Sequence, residues 1–266
     1  MRTAIPPLKV LIQRLGAYVQ GYGEKASVVV GTEQYEQDET TGSAVGDFRT
    51  LVAEFAIVRD PTLNQWLGFR DVIQVDGRPV TDHENRLVTI LTSHSGGLSE
   101  ARALSDEGAR FNIGPVYRNF NVPTTALFFF KPENLDRFKF SRLGVAADGS
   151  IEIAFREKDK PTLIRTADGR SVPSEGSIWV DPASGIIRRT RLRLGLKEVV
   201  KETFGPRSDG SAEIDVSYAP SDRLGMWLPQ SMREAYDVIN DGSLERVAGQ
   251  ADYSNYRKFE TTVRIK

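Results

Sequence analysis

From Arg137 onward the chain alternates apolar and polar residues with a period of two, and small turn-forming pairs interrupt the alternation at short intervals. Half-buried strands joined by tight turns are what such a pattern can build, because successive side chains on a strand point to opposite faces. Ile151, Ile153 and Phe155 share one face, as do Ile214, Val216 and Tyr218, and later Phe259, Thr261, Val263 and Ile265. The punctuating pairs are Asp148-Gly149, Asp168-Gly169, Ser184-Gly185, Asp209-Gly210 and Asp241-Gly242. These residue types accept the positive φ that tight hairpins require. Pro182, which fixes φ, and Gly185 mark Asp181 to Gly185 as a hairpin tip that pairs Ser177–Val180 with Ile186–Leu194. Residues 137–266 are expected to form an antiparallel β meander.

The first part of the chain reads differently. Pro6 and Pro7 suit a first helical turn, and Leu8, Leu11, Ile12, Leu15, Tyr18, Val19 and Tyr22 form one apolar stripe. A helix is expected over 6–23, with Gly21 and Gly23 stopping it. Ser27–Gln37, Phe48–Arg59 and Trp66–Val75 then read as strands, with Leu51, Ala53, Phe55 and Ile57 on one face of the second. A helical interlude follows at about 81–135. Thr81 and Glu84 have capping-box spacing, Leu87, Val88, Ile90 and Leu91 supply an apolar face, and Ser99–Gly108 makes a second, more polar helix. The apolar run Leu127–Phe130 fits a helix or a buried strand, and Pro132–Leu135 reads as a turn.

There is no linker-like tract and no internal repeat, so residues 1–266 read as a single domain. The expected class is mainly β, formally α+β. One large curved antiparallel sheet of eight or more strands carries an N-terminal helix and interposed helices, with strand exceeding helix more than twofold.

Composition narrows the function classes. Thirty-five basic against thirty-six acidic residues leave a net charge of −1, without the positive surplus of a dedicated nucleic-acid binder. With no cysteine, thiolate catalysis, disulfides and cysteine-ligated metals are excluded. No stretch approaches the ~20 apolar residues of a membrane span. Arg2 is not followed by a continuous apolar core and a small-residue cleavage site, so an exported protein would be represented here in its mature form.

Individual motifs point to no catalytic centre. Gly21-Tyr22-Gly23-Glu24-Lys25-Ala26 matches a dinucleotide-binding pattern, but that site needs a strand before it and a helix after it. Here the order is reversed, and a helix-to-strand turn is the reading taken. His83 and His94 stand eleven residues apart without metal-ligand spacing, and no cofactor or bound metal is expected. Ser93 beside His94 is not a nucleophile–base pair, since adjacent helical residues point about 100° apart. Arg189, Arg191 and Arg193 would share one strand face. They form either a solvated face opposite acidic strand neighbours or an anion or headgroup patch. Strand aromatics are the remaining signal. Phe55, Trp66, Phe69, Phe128, Trp179 and Trp227 are candidate lining residues of an apolar cavity between the concave sheet face and the interposed helices.

Several phrases resemble a group of uncharacterised exported proteins of soil bacteria. They are Phe155-Arg156-Glu157 through Pro161-Thr162-Leu163-Ile164-Arg165, Gly176 to Gly185 with Arg188-Arg189-Thr190, Arg223 through Pro229, and Tyr253 through Phe259. The order of a W-x-D-P-x-x-G turn at Trp179–Gly185 and a later W-x-P strand at Trp227–Pro229 also resembles the lipoprotein-carrier fold of LolA and LolB. That resemblance implies an incomplete barrel wrapped around helices, a periplasmic or extracellular setting, and an apolar small molecule or acyl chain as ligand. No site residue is carried over from it. A structural or protein-interaction module with a filled core is the second reading, and an enzyme with converging carboxylates the third.

Overall fold

The computed structural model describes residues 5–27, 29–60, 65–81, 86–92, 97–166, 168–205 and 208–259. Among the described residues eleven strands form one antiparallel sheet: β1 (Val29–Thr41), β2 (Ala44–Asp60), β3 (Gln65–Val75), β4 (Arg78–Pro79), β5 (Phe138–Val145), β6 (Ile151–Glu157), β7 (Ser174–Val180), β8 (Ile187–Gly195), β9 (Asp209–Ser221), β10 (Met226–Asn240) and β11 (Ser243–Lys258). Their order is β4-β3-β2-β1-β11-β10-β9-β8-β7-β6-β5, so the sheet is open, with β4 and β5 at its edges. All pairings but one join strands that are neighbours in sequence; β1 and β11 close the two halves together. The helices are α1 (Leu8–Ala26), α2 (Arg86–Thr92), α3 (Leu98–Ala109), α4 (Thr125–Phe129) and α5 (Lys197–Phe204), with a 3-10 helix at Pro132–Arg137. Among the described residues, strand outnumbers helix by more than two to one.

The expected alternations bury the expected residues. Leu51, Ala53, Phe55, Ile57, Ile151, Ile153, Phe155, Ile214, Val216 and Tyr218 all fall in one core on the sheet face that carries α1. The hairpin at 181–185 also forms as read. Val180 pairs Ile187 and Ser177 pairs Arg191, Asp181 N–H donates to Ile186, and Gly185 takes φ 79° at the tip. Asp181 Oδ1 accepts from the backbone N–H groups of Ala183 and Ser184, which locks the turn.

Four expectations are corrected. The helix does not stop at Gly21 or Gly23 but continues to Ala26, with Tyr22 and Ala26 buried. Tertiary packing outweighs glycine's helix penalty here, because a Cβ on Gly23 would run into the Trp66 indole. The six-residue glycine pattern is therefore the last turns of a packed helix rather than a turn. Asp209-Gly210 opens β9 instead of making a hairpin, and Gly210 sits in close contact with Leu196 and Val200. α5 interrupts the β region unannounced; Leu196 and Val200 anchor it in the main core. Finally, α2 and α3 do not face the α1 side of the sheet. Leu87, Ile90, Leu98, Ala101 and Leu104 cover the opposite face of β1–β3, against Val30, Ala56, Val58 and Phe69. His83, Glu84, His94, Thr261, Val263 and Ile265 lie outside the described residues.

One pairing carries a pH dependence. Thr41 is opposite Glu245 and Glu39 opposite Val247, so Glu39 and Glu245 are diagonal neighbours on β1 and β11. Burial, then the hydrogen bond and charge of Glu39, push Glu245 up from 4.5 to about 7. An acid raised in the folded state binds more protons folded than unfolded, so this site lowers stability as pH rises from 4.5 through about 7. Glu245→Gln should flatten that decline and raise the midpoint of thermal unfolding at pH 8, with little effect at pH 4. On the order of 1 kcal/mol is expected, discounted for the solvent that reaches the pair. An unchanged pH–Tm profile for the variant would refute the assignment.

Candidate functional site

The segment between α3 and α4 is laid across the α1 side of the sheet and pinned there by buried charge. Arg118, 1% exposed, donates to Gln37 Oε1 at 2.6 Å, Ile113 O at 2.7 Å, Glu234 Oε1 at 3.2 Å and Tyr35 Oη at 3.3 Å. Its guanidinium lies 4.7 Å from the Tyr236 ring centroid. Arg70 pairs bidentately with Glu33, one bond being 2.7 Å, and donates to Asn121 O at 2.9 Å. Tyr253 Oη donates to Glu33 at 2.6 Å, and Asn121 Nδ2 to Glu234 at 3.2 Å. Tyr35 and Tyr236 hydroxyls complete the coordination of Glu234.

Both carboxylates are thus saturated by donors, which is the arrangement of an anchor rather than of a proton-transfer pair. Burial drives the Tyr35, Tyr236 and Tyr253 hydroxyls well above the ordinary tyrosine range, so they remain protonated donors. Among the described residues no three histidine, aspartate or glutamate side chains gather as a metal-ligand group.

Because the anchored segment and α3 lie on opposite faces of the sheet, they meet past the free edge of β3. β4 pairs only with Gln74 and Val75, so among the described residues the start of β3 is paired with β2 on one side and has no strand on the other. A cleft of about 630 Å³ opens there. Its walls come from Trp66 and Gly68 of β3, Leu98 and Arg102 of α3, Phe120 and Val122 of the anchored segment, and Phe128 and Phe129 of α4. Lys131 reaches into it from the turn after α4, and Asn119, Thr124 and Asn134 add polar points. That volume lies within the roughly 300–1,000 Å³ of small-molecule sites.

The cleft gathers Trp66 and Phe128 from the six candidate lining residues. Phe55 is buried in the main core behind Gly68, in T-shaped contact with Tyr253. Phe69 packs under α2 and α3 on the other face. Trp179 lies half-buried on the outer face with Arg189 stacked on it at 4.8 Å, and Trp227 sits beneath Arg188 at 5.7 Å. Arg189 and Arg191 both pair with Asp215, and Arg193 with Glu213, so the arginine ladder faces acidic strand neighbours. Phe120, Val122, Leu98 and Lys131 were not singled out from sequence. Only the aromatic run at 127–130 hinted at this region, since cleft walls drawn from both faces of a sheet leave no periodic trace.

No protein-family model and no curated protein matches the chain. Among solved structures, similarity extends to an outer membrane lipoprotein-sorting protein domain from Vibrio parahaemolyticus, at 10% identity and TM-score 0.35 over 96% of this chain and 93% of that one. A DUF1329 family protein from Desulfovibrio piger matches at 11% identity and TM-score 0.37 over 98% and 95% of the two chains. A LolA superfamily protein from Nitrosomonas europaea matches at 10% identity and TM-score 0.32 over 93% and 96%. No described helix is long and apolar enough to cross a membrane.

Proposed function

We propose that this protein is a non-enzymatic carrier that holds an apolar ligand of acyl-chain size in the cleft beside β3. The observation that supports this most directly is the cleft itself, a 630 Å³ space walled by Trp66, Leu98, Phe120, Val122, Phe128 and Phe129. Affinity would come from burial, at roughly 0.8 kcal/mol for each methylene removed from water. An extracytoplasmic setting belongs to the same reading, supported by the phrases shared with exported bacterial proteins.

Phe128 is 40% exposed while its neighbours Phe129 and Phe130 are fully buried. It is therefore a wall of the cleft that can be removed without opening the core. The uncharged fluorescent probe N-phenyl-1-naphthylamine should brighten on the native protein and be displaced by long-chain fatty acids. Phe128→Ala should weaken probe binding about tenfold, the scale set by losing part of a phenyl contact of roughly 1.5–3 kcal/mol. Trp179→Ala, on the outer face, should leave it unchanged. Failure of the probe to bind above the level of an inert control protein would overturn the carrier reading.

A second reading, a protein-interaction module, is favoured by another observation. The tips of the β1–β2 and β10–β11 hairpins lie side by side, and Val45, Phe48, Ile239 and Leu244 are exposed on them. It would lead if the probe fails to bind.

A further inference from the structure

Lys131 is a cation without an anion, on a side chain buried except where its ammonium faces the cleft. Its side chain belongs to a residue only 3% exposed, yet it lines the cleft. Its ammonium lies 5.0 Å from the Trp66 ring centroid and 5.0 Å from that of Phe128, between the two aromatic walls. Among the described residues no hydrogen-bond acceptor and no carboxylate within 4.0 Å serves its three donors. Burial pulls its pKa below the ordinary lysine value, with Glu133 acting in the opposite sense.

The other charges around the cleft do not change this. Glu133 is exposed, and Asp106 is occupied by Asn119 Nδ2 at 2.7 Å and the Tyr117 hydroxyl at 3.3 Å. Arg102, exposed at the mouth, adds a second positive charge. Two aromatic faces offset part of the desolvation of an ammonium but satisfy none of its N–H groups. A partly desolvated ammonium in that state is stabilised most by an anionic acceptor entering the same space.

We propose that the ligand is a single-chain anionic amphiphile, its head group held by Lys131 and its tail between Trp66, Phe120 and Phe128. This rests on the carrier reading and specifies its ligand class. A cleft of this volume suits one acyl chain, and the polar anchor stands inside the wall rather than on the surface. A carboxylate or a phosphate monoester would meet the same requirement, since either offers charged oxygens to the three donors.

The test is competition against bound N-phenyl-1-naphthylamine by oleate, oleyl alcohol and oleoyl lysophosphatidate, each below its micelle concentration. Oleate or the lysophosphatidate should displace the probe at about ten- to hundredfold lower concentration than the alcohol, the range expected for a hydrogen bond to a charged group. The tighter of the two identifies carboxylate or phosphate as the head group. Lys131→Met, which keeps the stem and drops the charge, should abolish the difference while retaining the probe, and Lys131→Arg should preserve it. Equal displacement by oleate, lysophosphatidate and alcohol, or a preference that survives Lys131→Met, would overturn this inference and leave the carrier reading standing. Absence of probe binding to the native protein would overturn both. Circular dichroism of each variant identifies a loss that comes from misfolding, and Lys131→Arg then decides.

Discussion

Replacing Arg118 with alanine is expected to lower the free energy of unfolding by about 3–5 kcal/mol, the range for removing one partner of a buried ion pair. The guanidinium serves four acceptors at once, from β1, β10 and the segment it belongs to. Without it, Glu234 keeps only neutral donors in a water-poor interior, and Gln37 loses its shortest partner. Arg118→Lys should recover only part of the loss, because a point charge cannot reproduce the planar fork. Arg193→Ala is the natural contrast. That side chain is 53% exposed and pairs with Glu213 at 2.7 Å, so a change within about 1 kcal/mol is expected. Urea unfolding of the three variants measures the difference, and a loss at Arg118 no larger than at Arg193 would refute the anchoring role. Since the same network holds the segment that walls the cleft, Arg118→Ala should also weaken probe binding under conditions where the protein remains folded.

Phe130→Ala should be comparably costly, about 3–5 kcal/mol, for a different reason. Phe130 is fully buried and sits at the centre of an aromatic cluster. Its ring meets Phe155 edge-on at 5.0 Å and stands within 6.5 Å of Phe138 and Phe140. Truncation removes those contacts and leaves a void that the close-packed strands β5 and β6 cannot fill. Phe128→Ala, two residues earlier, should change stability far less and binding far more. Thermal unfolding together with probe titration of the pair checks this. A similar stability loss in both variants would contradict the division of roles.

That pair also shows where sequence stops being informative. Three consecutive phenylalanines, Phe128 to Phe130, are indistinguishable in sequence. α4 ends at Phe129, and the turn there sends the three rings different ways, so Phe128 stands exposed at the cleft, Phe129 is buried in its wall and Phe130 enters the core. The choice is made by where α4 docks, and no local pattern encodes that.

The sequence by itself determined the strands of the meander, the faces they bury and the turn at 181–185. These depend on period-two alternation and on residues that accept positive φ, both local properties. It also contained α1, although not its end, because the contact between Gly23 and Trp66 that extends the helix joins residues forty-three positions apart. Tertiary structure alone decided the rest. It placed α2 and α3 behind β1–β3, matched Arg70 and Arg118 to Glu33 and Glu234, and opened the cleft past the edge of β3. In sequence those arginines and glutamates look like any other charged residues, for a charge acquires a buried partner only through contacts between distant segments. The cleft and its unpaired Lys131 arise the same way, from two faces of one sheet meeting around its free edge.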